Sequence, residues 1–155
     1  MALPDSPRIF TPPPLLFLTG ILVGLALDGR LDGDALSAPA WQQIVGALLA
    51  AGGIGLAGAS LGLFRRSRTR PEPWAPASAL VTTGLYRLTR NPMYLGMALI
   101  HGGIALALGS MAAGLMLLPV LAIMNFAIIP REEAYLERRF GEDYGAYCRK
   151  TRRWL

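Results

Sequence analysis

Two stretches of this chain place chemically capable side chains at the ends of apolar runs. Residues 84–96 read GLYRLTRNPMYLG, and residues 130–154 read PREEAYLERRFGEDYGAYCRKTRRW. The first sets Arg90, Asn91, Pro92 and Tyr94 at the mouth of a long apolar segment, and the second sets Arg131, Glu132 and Glu133 at its far end. Taken singly, such residues have ordinary readings, since arginines snorkel and tyrosines collect at membrane interfaces. If the intervening segment folds back on itself, however, the two groups meet. They then form a polar pocket at the bilayer edge that suits a zwitterion.

The apolar pattern requires that fold-back. Of the 155 residues 53% are hydrophobic and 16% charged, against about 25% charged in an ordinary soluble domain. The apolar residues come in long runs rather than at amphipathic spacing, which points to a bilayer. One run is Ile9 to Leu27, opened by Pro12, Pro13 and Pro14, and a second is Trp41 to Phe64. The third is a stretch without Asp, Glu, Lys or Arg from Pro92 to Pro130. As a single helix it would be about 58 Å long, roughly twice the hydrocarbon core of about 30 Å. A turn near Gly109 and Ser110 divides it. The expected fold is therefore all-α: four membrane spans in two hairpins, with a cytoplasmic amphipathic helix after them, within a single domain over 1–155. Asn91 is a good N-cap type and Pro92 suits a first helical turn, so the third span starts there. Arg90, Tyr94, Met97 or Ala98, and His101 would share one face. Asn125 and Glu132, seven apart, would share another if the helix runs on through Pro130.

Charge sets the orientation. Of the fifteen Lys and Arg residues, Arg30 alone lies between the first two runs. Arg65, Arg66, Arg68, Arg70, Arg87 and Arg90 come after the second run, and seven more lie in the tail from Arg131 to Arg153. The positive-inside rule then puts both termini and the central loop in the cytoplasm. The formal net charge of +5 flanks membrane spans, so anionic lipid head groups are the expected partners rather than nucleic acid. The first run has no basic leader beyond Arg8 and no small-residue cleavage pattern before DGRLDGD, so it reads as a retained span.

Several other readings fall away. GIGLAG, Gly53 to Gly58, matches a dinucleotide fingerprint in letters only, because it lies within an apolar span with no strand before it. Its small residues, with Gly46 and Ala50 and with Gly58 and Gly62, suit close helix packing. Cys148 is the only cysteine and His101 the only histidine, so no metal site built from such residues is expected. His101 reads as a polar contact between helices, with a role as base left open. A transporter would call for charges inside the spans, and Pro92 to Pro130 has none.

The two stretches together resemble the isoprenylcysteine carboxyl methyltransferase and phospholipid methyltransferase superfamily of integral-membrane enzymes. The resemblance covers residues 76–154. It rests on G-x-Y-x-x-x-R-[HN]-P-x-Y-x-G and E-E-x-x-L-x-x-x-F-G-x-x-Y-x-x-Y, both complete here. Many members carry histidine where this chain has Asn91, although an amide can make similar neutral hydrogen bonds.

The resemblance implies S-adenosylmethionine as methyl donor. It implies binding by Tyr86, Arg87, Arg90, Asn91, Pro92, Tyr94, Gly96, Arg131, Glu132 and Glu133, with Arg90, Tyr94 and Glu132 closest to the chemistry and no metal. Glu132 or Glu133 would take the donor's ammonium, Arg90, Arg87 or Arg131 its carboxylate, and Tyr94 or Tyr86 its sulfonium. Leu136, Phe140, Tyr144 and Tyr147 form a stripe that would anchor the tail on the membrane or close over the cofactor. The acceptor implied is a lipid or small hydrophobic molecule at the cytoplasmic face of a bacterial inner membrane, a head-group amine first. A prenylcysteine carboxylate, a small thiol, or a non-catalytic scaffold with the same fold are the alternatives.

Overall fold

A computed structural model of the protein describes residues 11–29, 38–69 and 76–155. The acidic DGRLDGD segment, apart from Asp28 and Gly29, lies outside the described residues, as do Ile9 and Arg70. Among the described residues every regular element is helical. Helix α1 is Pro13–Leu27, α2 is Ala40–Arg66, α3 is Pro92–Ala107, α4 is Met111–Ile123, α5 is Ile129–Phe140 and α6 is Glu142–Lys150. A 3-10 turn, Gly84–Arg87, precedes α3, and a π turn, Met124–Ile128, joins α4 to α5 without a break.

The outward side chains identify the solvent. Leu15, Leu18, Leu22, Ile44, Leu48, Ile54, Leu115, Leu118 and Phe126 are all exposed. A water-soluble monomer does not present so much contiguous apolar surface. Helix α2 and the continuous helix Met111–Phe140 are long and apolar enough to cross a membrane, while α1 and α3 are shorter apolar helices. The chain is an integral-membrane, all-α protein.

Glycine decides which helices touch. A Cβ built on Gly53 would lie 2.5 Å from the Gly96 carbonyl oxygen, and one on Gly46 would lie 2.5 Å from that of Gly103. The backbones of α2 and α3 thus meet directly, as small residues allow in lipid. On the other side Gly20 meets Val120 and His101, and Gly24 meets the backbone at Ala113. So α2 packs on α3 and α1 on α4, with α3 against α4 between them. Of the two hairpins expected from the sequence, α3 and α4 pack on each other, whereas among the described residues α1 and α2 are not main partners in packing. The second small pair, Gly58 and Gly62, faces open space. Only Gly46 and Ala50 serve the close approach expected of both pairs.

The expected turn at Gly109 and Ser110 is present, with Gly109 at φ +62°. The Ser110 hydroxyl accepts from the Ala113 N–H at 3.0 Å, and Asp28 at the end of α1 accepts from Ser110 at 2.6 Å and from the Ala112 N–H at 3.0 Å. An anion at a helix N-terminus is favourable, so Asp28 ties α1 to the start of α4.

The π turn has a local cause. Pro130 has no N–H for the carbonyl four residues back, and its ring crowds that turn. A turn closed i→i+5 takes in one more residue and relieves both. The tail beyond is amphipathic, as expected, but Gly141 at φ +52° divides it into α5 and α6. Leu136, Phe140, Tyr144 and Tyr147 pack against Leu63, Phe64, Val81 and Tyr86. The aromatic stripe is therefore an internal seam between the tail and the segment before α3, not a membrane anchor.

Gly53→Leu should separate α2 from α3. Backbone cannot yield as a side chain can, so the loss should reach about 3 kcal/mol, the upper end for overpacking. Gly58→Leu meets nothing and should leave stability unchanged or slightly raised by helix propensity. Thermal unfolding midpoints in detergent compare the two.

Candidate functional site

The turn before α3 and the start of α5 are brought to one end of the bundle, as the sequence required. Tyr94, in the first turn of α3, is buried with Phe17, Val120, Met124, Ile128 and Ile129 rather than lying in an aromatic belt. Its hydroxyl donates to Glu132 Oε2 at 2.9 Å. Glu133 makes different contacts. Arg153 forks onto it, Nε to Oε1 at 3.1 Å and Nη2 to Oε2 at 2.6 Å. Arg90 Nη1 lies 3.2 Å from its Oε1. Among the described residues the ion pairs of this cluster go to Glu133, while Glu132 meets a neutral phenol.

Arg90 Nη1 also donates to Cys148 Sγ at 2.6 Å, and its Nε is buried without a hydrogen-bond partner among the described residues. A buried donor in that state carries a desolvation cost. Asn91 holds the N-cap position of α3, yet its side chain makes no cap. Its amide donates instead to the Arg153 carbonyl at 3.0 Å, beside the Thr89 hydroxyl at the same distance. Pro92 is buried in the first turn of α3.

The other expected residues lie apart. Gly96 belongs to the α2–α3 contact, 2.9 Å from the Ala57 nitrogen if given a Cβ. Arg87 is exposed and lines a separate open cleft of about 590 Å³ with Lys150, Asp143 and Tyr147. Arg131 is also exposed and is not one of the two arginines on Glu133. Tyr86 is buried, its carbonyl accepting the Tyr147 hydroxyl at 2.6 Å. Its phenol is raised above the usual range by burial, then by the charges of Glu132 and Tyr147. His101 is fully buried in the bundle, with Nε2 2.9 Å from the Ala113 carbonyl and the ring edge-on to Phe17.

Asn125 and Glu132 do not share partners as a seven-residue spacing would have it. The π turn shifts the register by one, so Glu133, eight residues on, shares Arg153 with Asn125. Arg153 Nη1 reaches Asn125 Oδ1 at 3.2 Å and Trp154 Nε1 donates to the same oxygen at 3.1 Å. Sequence reasoning misses Arg153 and Trp154, because RKTRRW reads as a basic tail. Asn125 is a usable signal: an amide in an apolar helix needs a partner from elsewhere.

Glu132 lies just past the charge-free stretch. Burial, and secondarily the Glu133 charge, push its carboxyl up to about 7, against the lowering effect of the Tyr94 hydrogen bond. A folded-state value above the unfolded one means that the folded protein holds the extra proton. Its stabilising contribution is full below about pH 4.5 and is lost as pH rises through about 7. Stability should therefore fall between pH 5 and 8, by at most about 3 kcal/mol, and the unfolding midpoint with it. Glu132→Gln should flatten that slope, which a pH series of thermal melts would measure.

Comparison with known proteins agrees with this architecture. Residues 41–143 match the model of the phospholipid methyltransferase family. An uncharacterised protein of Haemophilus influenzae is 43% identical over 63 residues, 41% of this chain and the whole of that protein. No solved structure matches the chain. With the match spanning α2, α3, α4 and α5 and both halves of the site, this chain belongs to the phospholipid methyltransferase family of membrane proteins.

Proposed function

We propose that the chain is an S-adenosylmethionine-dependent methyltransferase acting on a lipid or small hydrophobic acceptor at the cytoplasmic membrane face. One observation carries the reading. Among the described residues, beside a carboxylate already held by two arginines stand a second carboxylate held by a phenol, Glu132, and a buried guanidinium N–H with no acceptor, Arg90 Nε. That pair fits the ammonium and the carboxylate of an amino-acid moiety.

S-adenosylmethionine supplies a methyl group already activated by a positive sulfur, so neither a metal nor a covalent enzyme intermediate is needed. What the chain must do is orient donor and acceptor. Glu132 accepts hydrogen bonds from the ammonium, and the Tyr94 hydroxyl fixes which way Glu132 turns. Arg90 Nε donates to the carboxylate, while its Nη1 stays on Glu133. Tyr94, and Tyr86 behind it, offer aromatic faces to a cation. An apolar acceptor reaches the same end of the bundle from the bilayer, whereas the donor arrives from water. A head-group amine is the first choice of acceptor. It must lose a proton, and His101, buried against the Ala113 carbonyl, is poorly placed to take it. A thiolate or carboxylate acceptor would need no base.

Purified protein should bind S-adenosylmethionine or S-adenosylhomocysteine and melt higher in its presence. Glu132→Gln should weaken binding about 10- to 150-fold, the equivalent of roughly 1.5–3 kcal/mol for a charge-assisted hydrogen bond, without lowering stability, and above about pH 7 the variant should be the more stable of the two. Glu133→Gln should chiefly lower stability, because it leaves two arginines without their anion. Calorimetry and melting curves on both variants separate these roles, and wild-type affinity in Glu132→Gln would sink the assignment.

The charge pattern supports cytoplasmic termini. A reporter that is active only in the periplasm should stay silent when fused after Leu155 and work when inserted near Gly33. The opposite result would put the site on a face without cofactor.

A further inference from the structure

The end of the chain is held more closely than a surface tail requires. Helix α6 stops at Lys150, and Thr151 is extended, with φ −130° and ψ 131°. The backbone beyond it runs along the segment before α3: the Arg90 N–H donates to the Arg152 carbonyl at 2.8 Å, and the Arg153 carbonyl takes the Thr89 hydroxyl and the Asn91 amide. The side chains go the other way. Arg153 forks onto Glu133 and reaches Asn125, and Trp154 joins it there and packs against the buried cluster around Tyr94. One short segment thus holds, by backbone, the residues that carry Arg90 and, by side chain, the helix that carries Glu132.

We infer that residues 151–154 form a clasp closing one wall of the cofactor site, with Arg153 as its positioning residue; this rests on the methyltransferase reading above. Arg153 takes both oxygens of Glu133 in a fork, while Arg90 Nη1 lies 3.2 Å from Oε1 and Arg90 Nε makes no hydrogen bond among the described residues. Without Arg153, Arg90 is the cation left to Glu133. A guanidinium beside a carboxylate favours two parallel N–H bonds, so Arg90 Nε would turn onto Glu133 and be lost to the ligand. The clasp therefore works by keeping Arg90 from using its own fork. Lysine at 153 would keep the charge but neither the fork nor the simultaneous reach to Asn125.

The test uses S-adenosylhomocysteine binding to the full chain in detergent, together with amide hydrogen exchange at Arg90, whose N–H the clasp covers. Arg153→Ala should bind at least tenfold more weakly and lose protection at the Arg90 amide while α2 stays protected. Arg153→Lys should fall between it and the wild type. Arg149→Ala, which removes the same charge from an exposed position four residues earlier, should match the wild type in both measurements. Wild-type affinity in Arg153→Ala, or an equal loss in Arg149→Ala, overturns the clasp. Should Arg153→Ala also lose protection throughout α2, it has unfolded, and Arg153→Lys decides: wild-type affinity there overturns the inference, and an intermediate one sustains it. A wild-type chain that does not bind overturns the methyltransferase reading itself, whereas a binding wild type with an indifferent Arg153→Ala overturns the clasp alone.

Discussion

A carboxylate drawn partly out of water must be compensated, and the arrangement around Glu133 arises from that need. Coulombic attraction alone seldom repays the desolvation of an ion pair; good geometry and further hydrogen bonds are required. Glu133 has both, with a forked arginine on one side and a second arginine on the other. Its partners come from the segment before α3 and from the end of the chain, which thereby meet α5. The exit of the last span, the mouth of the third and the C-terminus are held at one carboxylate.

This constraint separates two adjacent glutamates. Neighbours on a helix point in different directions, so when Glu133 faces the arginines Glu132 cannot. It turns instead toward Tyr94, in a setting of burial and like charge that lifts its carboxyl toward neutrality. One member of the pair is held by two guanidinium groups and the other by a phenol. The rigid part of the frame lies deeper, where α2 and α3 touch backbone to backbone at Gly53 and Gly96.

Much of this is legible from residue order. Charge-free length fixes the spans, Gly109 and Ser110 mark the fold-back, and the two motif halves have to meet once the spans are antiparallel. Helix partners are harder to read, because several glycine pairs on α2 have equivalent spacing and only three-dimensional packing distinguishes Gly53, against α3, from Gly58, which faces open space. Arg153 is hidden for a different reason. A basic tail beside a membrane has a sufficient explanation in lipid electrostatics, and nothing local marks one arginine of the run as turned inward. The register of the glutamates cannot be counted from Asn125, since regular helical spacing holds only where every turn closes alike.

The π turn at Met124–Ile128 also bears on how such a chain tolerates length changes. A turn that holds one surplus residue can give it up and return to ordinary α geometry without rotating the helix beyond it. A deletion there would leave α5 facing the same arginines, whereas a deletion inside α3 or α5 would swing every later side chain around the axis. The distance in residues between the two motif halves is thus not a fixed ruler. Chains built on this plan can differ by one position across the last span and still set a glutamate against the same pair of guanidinium groups.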